Sequence, residues 1–299
     1  MATAAAAELR RTEPVVIEEG MGPKIIRTLG RLPVHLILIL VGLFWLIPTT
    51  GLFITSLLLP SDAAQGGWWN FFVKPSTWTL ENYRNMFDNS SIVDALIVTA
   101  QVTIGATILP IIIASLAAYA LAWIEFPGRD WMFLTVVGLL LVPIQMALIP
   151  MFSLYNRLNL FDTVPGLILF HAAFALPFAI FLLRNFFAGI PKDLMEAARI
   201  DGASEIRLFW KVILPLGLPA IASLGIFQVL FVWNDLLIGL VLAQNNQPIA
   251  PHLASQLRQF GSNLDVLAPA SFFSAVIPLA VFAGFQRYFV QGLLAGSVK

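Results

Sequence analysis

The chain alternates long apolar stretches with short polar ones, on the length scale of membrane-crossing helices. Six stretches, about 34–59, 92–123, 131–150, 165–188, 216–243 and 269–290, match the ~20 mostly apolar residues that a helix needs to cross a bilayer. The second is long enough to require tilt or projection from the membrane, and the third is the shortest. A proline stands inside each: Pro48, Pro110, Pro143, Pro177, Pro219 and Pro278. Either these break helices around a cavity, where neighbours satisfy the freed backbone groups, or they reflect the general frequency of proline in membrane helices. The pattern predicts an all-α integral membrane protein: a polar tail over 1–33, then six transmembrane helices over 34–299.

Composition strengthens this picture. The chain is 59% hydrophobic and 11% charged, against roughly 45–50% and about 25% in soluble domains. Its formal net charge is zero, which implies no nucleic-acid partner. The lack of cysteine excludes disulfides, thiol catalysis and thiolate metal sites. The N-terminal run Ala4–Ala7 is too short for the apolar core of a signal peptide. Lys and Arg set the orientation. Thirteen lie in the tail, after spans two and four, and at the C-terminus; four lie in the other loops. Both termini are therefore expected in the cytoplasm, with loops 60–91, 151–164 and 244–268 outside.

Inside the spans little can carry chemistry. Asp235, with Trp233 and Asn234, lies ~28 Å along span five from Leu216 at 1.5 Å per residue, near the outer boundary. It lines an outward cavity or marks the boundary. His171 has no acidic or His neighbour at helical spacing and is expected to pack rather than relay protons. Gln101 and Gln228 are lone amides that glue helices or contact a ligand. Asn234, Asp235, Gln228 and Gln101 are the substrate-pathway candidates. Nucleotide-loop, zinc-protease and nucleophile-elbow motifs are missing, so no catalytic residue, metal or cofactor is expected in this chain. The loop around Trp68, Trp69, Phe71, Phe72, Trp78 and Tyr83 forms an aromatic belt or a protein contact surface.

One polar segment stands apart, Glu196–Pro215 (EAARIDGASEIRLFWKVILP), within a loop spanning 189–215. Pro191 suits a first helical turn. The helix is expected to reach Ile200, and Asp201-Gly202 then turns the chain. Ser204 caps a second helix. There Ile206, Phe209, Trp210 and Ile213 follow one apolar stripe, with Trp210 and Lys211 at the membrane interface and Pro215 as terminator. Small residues Ala197, Ala198, Gly202 and Ala203 let another surface approach closely; a loop lying on headgroups would favour bulkier ones.

This segment resembles the EAA loop of permeases in importer-type ABC transporters. Glu196-Ala197-Ala198, Gly202 and Leu214-Pro215 stand at that spacing, with Val212 where Ile is usual. Asp201-Gly202-Ala203, Leu80-Glu81-Asn82-Tyr83, Trp233-Asn234-Asp235 and the ending Arg287–Lys299 are similar to the carbohydrate-importing, MalG-type branch. Glu125–Arg129 and Val142–Pro150 look most like permeases for α-glucosides such as maltose or trehalose. The resemblance covers about 34–299 and implies a type I ABC importer permease fold, in a multi-pass subunit of the bacterial inner membrane.

It also implies partners: a second homologous permease, two ATP-binding subunits that hold ATP and Mg, an extracytoplasmic sugar-binding protein, and membrane lipid. In such systems the loop docks in the ATPase and transmits its closure to the pore. Coupling would then fall to Glu196, Ala197, Ala198, Asp201, Gly202 and Ala203. Small residues permit docking, and the two carboxylates offer charge-assisted bonds. Gln244, Asn245, Asn246 and Gln247 are expected to touch the binding protein. The alternative is an ion-gradient-driven secondary transporter acting alone. It would need a carboxylate near the midplane, and Asp235 is the sole candidate.

Overall fold

The computed structural model describes residues 21–73, 78–260 and 263–295. The tail residues 1–20 and the last residues 296–299, used above for orientation and resemblance, lie outside the described residues, as does Lys74. Among the described residues five helices are long and apolar enough to cross a membrane, and a sixth is reached if one bent pair is a single broken span. The class is therefore all-α, as the hydrophobic pattern predicts. By packing the chain divides into residues 1–51 and 52–299. The first unit contributes the apolar helix α1 (Met21–Leu57) as far as Gly51, with side chains exposed from 33 onward.

In the second unit the end of α1 is tied down by α4 (Glu81–Asp88), which follows the short α2 (Pro60–Gly66) and α3 (Asn70–Val73). The buried Asn82 amide donates to the carbonyls of Ser56 at 3.0 Å and Leu58 at 2.7 Å. These are carbonyls that the end of a helix leaves without an intrahelical partner. Tyr83 shares a hydrogen bond with the Ser56 hydroxyl at 2.7 Å. Phe71 stacks on Trp78 with centroids 4.2 Å apart, so part of the aromatic loop packs on itself.

The bundle is built on α5 (Ser90–Trp123), capped by the Asn89 side chain. It packs along α8 (Val164–Ala188) and α11 (Leu214–Trp233), and α11 packs along α14 (Leu264–Ala295). α5 and α8 run parallel. Gly105 lies against Ile168, and near their far ends the Trp123 indole donates to the Phe187 carbonyl at 3.0 Å. α11 runs the other way, its Gln228 amide bonding the Ala106 carbonyl at 3.1 Å. Small α5 residues (Ala106, Ala114, Ala118) are fully buried, allowing this close approach.

Two expected spans differ. The third, expected over 131–150 with Pro143 inside it, is a pair: α6 (Arg129–Leu139) and α7 (Ile144–Leu158), bent by 95°, which favours the reading of that proline as a helix break. Pro143 lies at the bend and caps α7 instead of standing inside a helix. It lacks an N–H and pushes Val142 out of helical geometry. The fifth, expected to reach 243, ends at Trp233, and α12 (Leu237–Leu242) is a separate helix. α13 (Ile249–Phe260) follows and packs on α5 and α14.

Candidate functional site

The polar segment folds into a compact knob. α9 (Lys192–Ile200) begins after Pro191, which occupies the cap position rather than the first turn. Asp193 in the first turn and Arg199 in the last both suit the helix dipole. Met195 is 0% exposed and anchors the helix, while Glu196, Ala197 and Ile200 face outward. The turn closes by paired bonds: Gly202 N–H to the Arg199 carbonyl at 3.0 Å and Ala203 N–H to the Ala198 carbonyl at 3.1 Å. This is the Schellman arrangement, and it requires a left-handed residue after the helix. Gly202 supplies it with φ +78°, and a Cβ built there would meet nothing within 4 Å. Glycine is thus needed for its backbone, and the space above it is open. Asp201, Gly202 and Glu196 are exposed together, while Ala198 and Ala203 are half-buried against the core.

The second helix follows Ser204, whose hydroxyl accepts the Arg207 N–H. It is short, α10 (Glu205–Leu208), and passes into a π-helical turn, Phe209–Ile213, where the Leu214 N–H bonds the Phe209 carbonyl. Pro215 does not end the helix as expected; it stands in the first turn of α11. A wide π turn accommodates the N–H that proline lacks within one continuous rod. The extra residue also shifts the angular register. The expected stripe is split: Phe209 and Ile213 are buried with Leu208, while Ile206 (74% exposed) and Trp210 face out.

Side chains with no motif of their own in the sequence hold the knob down. The Arg199 guanidinium donates to Glu205 at 3.2 Å. The buried Tyr119 hydroxyl of α5 donates to the Glu205 carboxylate, with the Glu205 carbonyl 3.3 Å away. Around these lie Leu183, Phe187, Met195, Leu208, Phe209 and Ile213 in one apolar cluster. The available signal was a tyrosine hydroxyl within an apolar span and an acid just past the turn.

At the opposite end Asp162 is the centre. Its φ is +56°, and its carboxylate accepts the backbone N–H groups of Gln244, Asn245 and Asn246 at 2.8–2.9 Å. The Asn245 amide adds a bond at 2.7 Å, and the Asn246 amide reaches the Asp162 carbonyl at 2.6 Å. Burial alone would raise the Asp162 pKa, but these bonds outweigh it and hold the group below its ordinary value. Gln247 turns back to the Ala243 carbonyl and toward Ser255.

The substrate-pathway candidates are dispersed. Asp235 caps α12 through the N–H groups of Ile238 at 3.0 Å and Gly239 at 3.1 Å. Gln228 is buried on the α5 backbone. Asn234 is exposed and bonds the Leu230 carbonyl at 2.8 Å. Gln101 is exposed on an α5 face with Ile97, Ile104 and Ile108. The Trp233 indole donates to the Ser274 carbonyl at 2.9 Å. His171 is buried as expected, but it has an acidic neighbour that helical spacing could not reveal: Asp235 lies 3.8 Å away.

Comparisons with known proteins agree with this architecture. The model of the family "Binding-protein-dependent transport system inner membrane component" matches residues 108–295. An osmoprotective compounds uptake permease protein, GgtD of Synechocystis sp., is 44% identical over 275 residues, covering 90% of this chain and 92% of its own. The α-glucoside transport system permease protein AglG of Rhizobium meliloti is 46% identical over 233 residues, covering 75% of this chain and 61% of its own. A chain from a bacterial ABC transporter involved in the import of alginate superposes with a TM-score of 0.75 at 24% identity, covering 88% of this chain and 97% of that one; it shows the shared importer-permease fold. With the knob, the bundle and these matches in hand, the chain belongs to the family of inner-membrane components of binding-protein-dependent transport systems.

Proposed function

We propose that this chain is one of two homologous permease subunits of an ATP-driven sugar importer, with α-glucosides as its substrate class. It is coupled through the knob at 189–215 to separate ATP-binding subunits and loaded by an extracytoplasmic sugar-binding protein. Both termini and the knob lie in the cytoplasm, as the Lys and Arg distribution favours. The carrying observation is the knob itself. It is rigidly closed underneath by Met195 and the Schellman bonds, yet open above Gly202. Ile200 (86% exposed) and Ile206 stand beside the exposed carboxylates of Glu196 and Asp201. Small residues ringed by apolar and acidic groups suit insertion into a cleft of another protein. AglG is named for α-glucoside transport and GgtD for uptake of osmoprotective compounds; the first name supports the α-glucoside reading. Among the pathway candidates, Gln101 and Asn234 keep exposed amides suited to sugar hydroxyls, whereas Gln228 and Asp235 serve the helices. Asp235 caps α12 and lies 3.8 Å from His171, at the end of α11 rather than at the midplane where a gradient-driven carrier would need its carboxylate.

The test is Gly202→Trp in the full transporter. Sugar uptake and co-purification of the ATP-binding subunits are both expected to fall to background while the chain still inserts. Unchanged uptake would overturn the docking role.

A further inference from the structure

We infer that Glu205 and Tyr119 form a strap through which displacement of the knob is delivered to α5; the inference rests on the coupling role proposed above. The knob joins the bundle covalently at both ends. One end follows α8 through Gly189, Ile190 and Pro191, which are outside any helix, and the other runs through the π turn Phe209–Ile213 into α11, which carries Pro215 and Pro219 near its start. Non-helical links, widened turns and prolines are where a chain bends, so both ends are compliant. A third route leaves the knob sideways. Glu205 contacts three elements at once: Arg199 of α9, its own helix α10, and Tyr119 of α5, which lies 86 residues away in sequence.

Tyr119 is 5% exposed and its ring packs 5.4 Å from Phe209, so its hydroxyl is held in place. Hydrogen bonds to an ionised acceptor are directional and strong, whereas apolar side chains in contact can slide. The apolar cluster beneath the knob therefore keeps it seated, and the strap fixes its register on α5. α5 in turn packs along both α8 and α11. A push on the knob that passes through Glu205 therefore reaches the helix in contact with most of the bundle, which the bend at the π turn would otherwise absorb.

The test uses the complete transporter in proteoliposomes and reads sugar transported per ATP hydrolysed. Tyr119→Phe removes one hydroxyl and keeps the ring; Glu205→Gln keeps the size and removes the charge. Both are expected to co-purify with the ATP-binding subunits and hydrolyse ATP, yet to lower the transport-to-hydrolysis ratio about five-fold or more. The double variant is expected to be no worse than the worse single one, because the two residues act through one bond. An unchanged ratio in both single variants, or fully additive losses, would overturn the strap. An unaltered chain that co-purifies with no ATP-binding subunit would instead overturn the importer reading beneath it.

Discussion

Two carboxylates, one at each end of the bundle, fasten a loop in opposite ways. Asp162 spends itself on main-chain donors: three consecutive N–H groups converge on it, and Asn245 adds a fourth bond. Glu205 is held by side chains alone, Arg199 and Tyr119. A carboxylate that fills a backbone nest fixes the path of the loop and leaves those donors nothing to offer a partner. A carboxylate held by side chains fixes the position of a knob and leaves the knob's outer surface free. The exposed Ile200 and the open space over Gly202 are that surface. The main-chain groups of Gln244–Asn246 are thus occupied within the chain, while the outer surface of the knob stays open, as the docking role proposed above requires.

The largest expected effect breaks the Asp162 end. A Cβ at Gly166 would sit 2.1 Å from the Leu160 carbonyl, a backbone atom that cannot step aside. Gly166→Ala should cost about 3 kcal/mol, read as a lowered Tm of the detergent-solubilised chain. An unshifted Tm would show that the start of α8 is softer than its packing implies. Asp162→Ala comes next, at about 2 kcal/mol, because it strands several N–H groups. Limited proteolysis should then cut within 243–247, where the native chain resists.

Acid probes the same latch without mutation. The folded pKa of Asp162 lies below its ordinary value. Its stabilisation is therefore complete above the ordinary carboxylate range, roughly pH 4, and is lost as pH falls through the folded value. Proteolysis of 243–247 should be flat from about pH 5 to 8 and rise only in stronger acid.

The smallest stability effect is expected at the knob. Gly202→Ala meets no atom of the described residues within 4 Å and carries only the left-handed backbone penalty, about 1 kcal/mol. Its Tm should barely move while sugar uptake falls several-fold. Equal losses in both would erase the contrast between the two ends.

Local signals made much of this legible. Gly202 announced its turn, Ser204 its cap, and the apolar runs their helices, because each depends on neighbours within a few residues. What escaped depended on distance or on a rare geometry. The Tyr119–Glu205 bond joins residues 86 apart, and the Asp162 latch residues 82 to 84 apart. Neither leaves a periodic trace. Proline usually ends a helix, so Pro215 signals a terminator in the sequence, and only the π turn before it lets the helix continue. Pro143 stands inside an apolar run, and no local signal separates it from the other interior prolines, although it marks a 95° bend. Trp233, Asn234 and Asp235 bond backbone groups of α14, α11 and α12 respectively, contacts with no trace in the spacing of the sequence.

The central claim is that the knob is where another protein enters. The chain has no cysteine, so Ile200→Cys provides the single attachment point within it, two residues from Gly202, and the chain is labelled before assembly with its partners. A photo-crosslinker placed there, in membranes containing the assembled and transporting complex, should yield one major adduct with an ATP-binding subunit. A label that reaches only lipid, or no protein at all, while sugar uptake continues, would contradict the account.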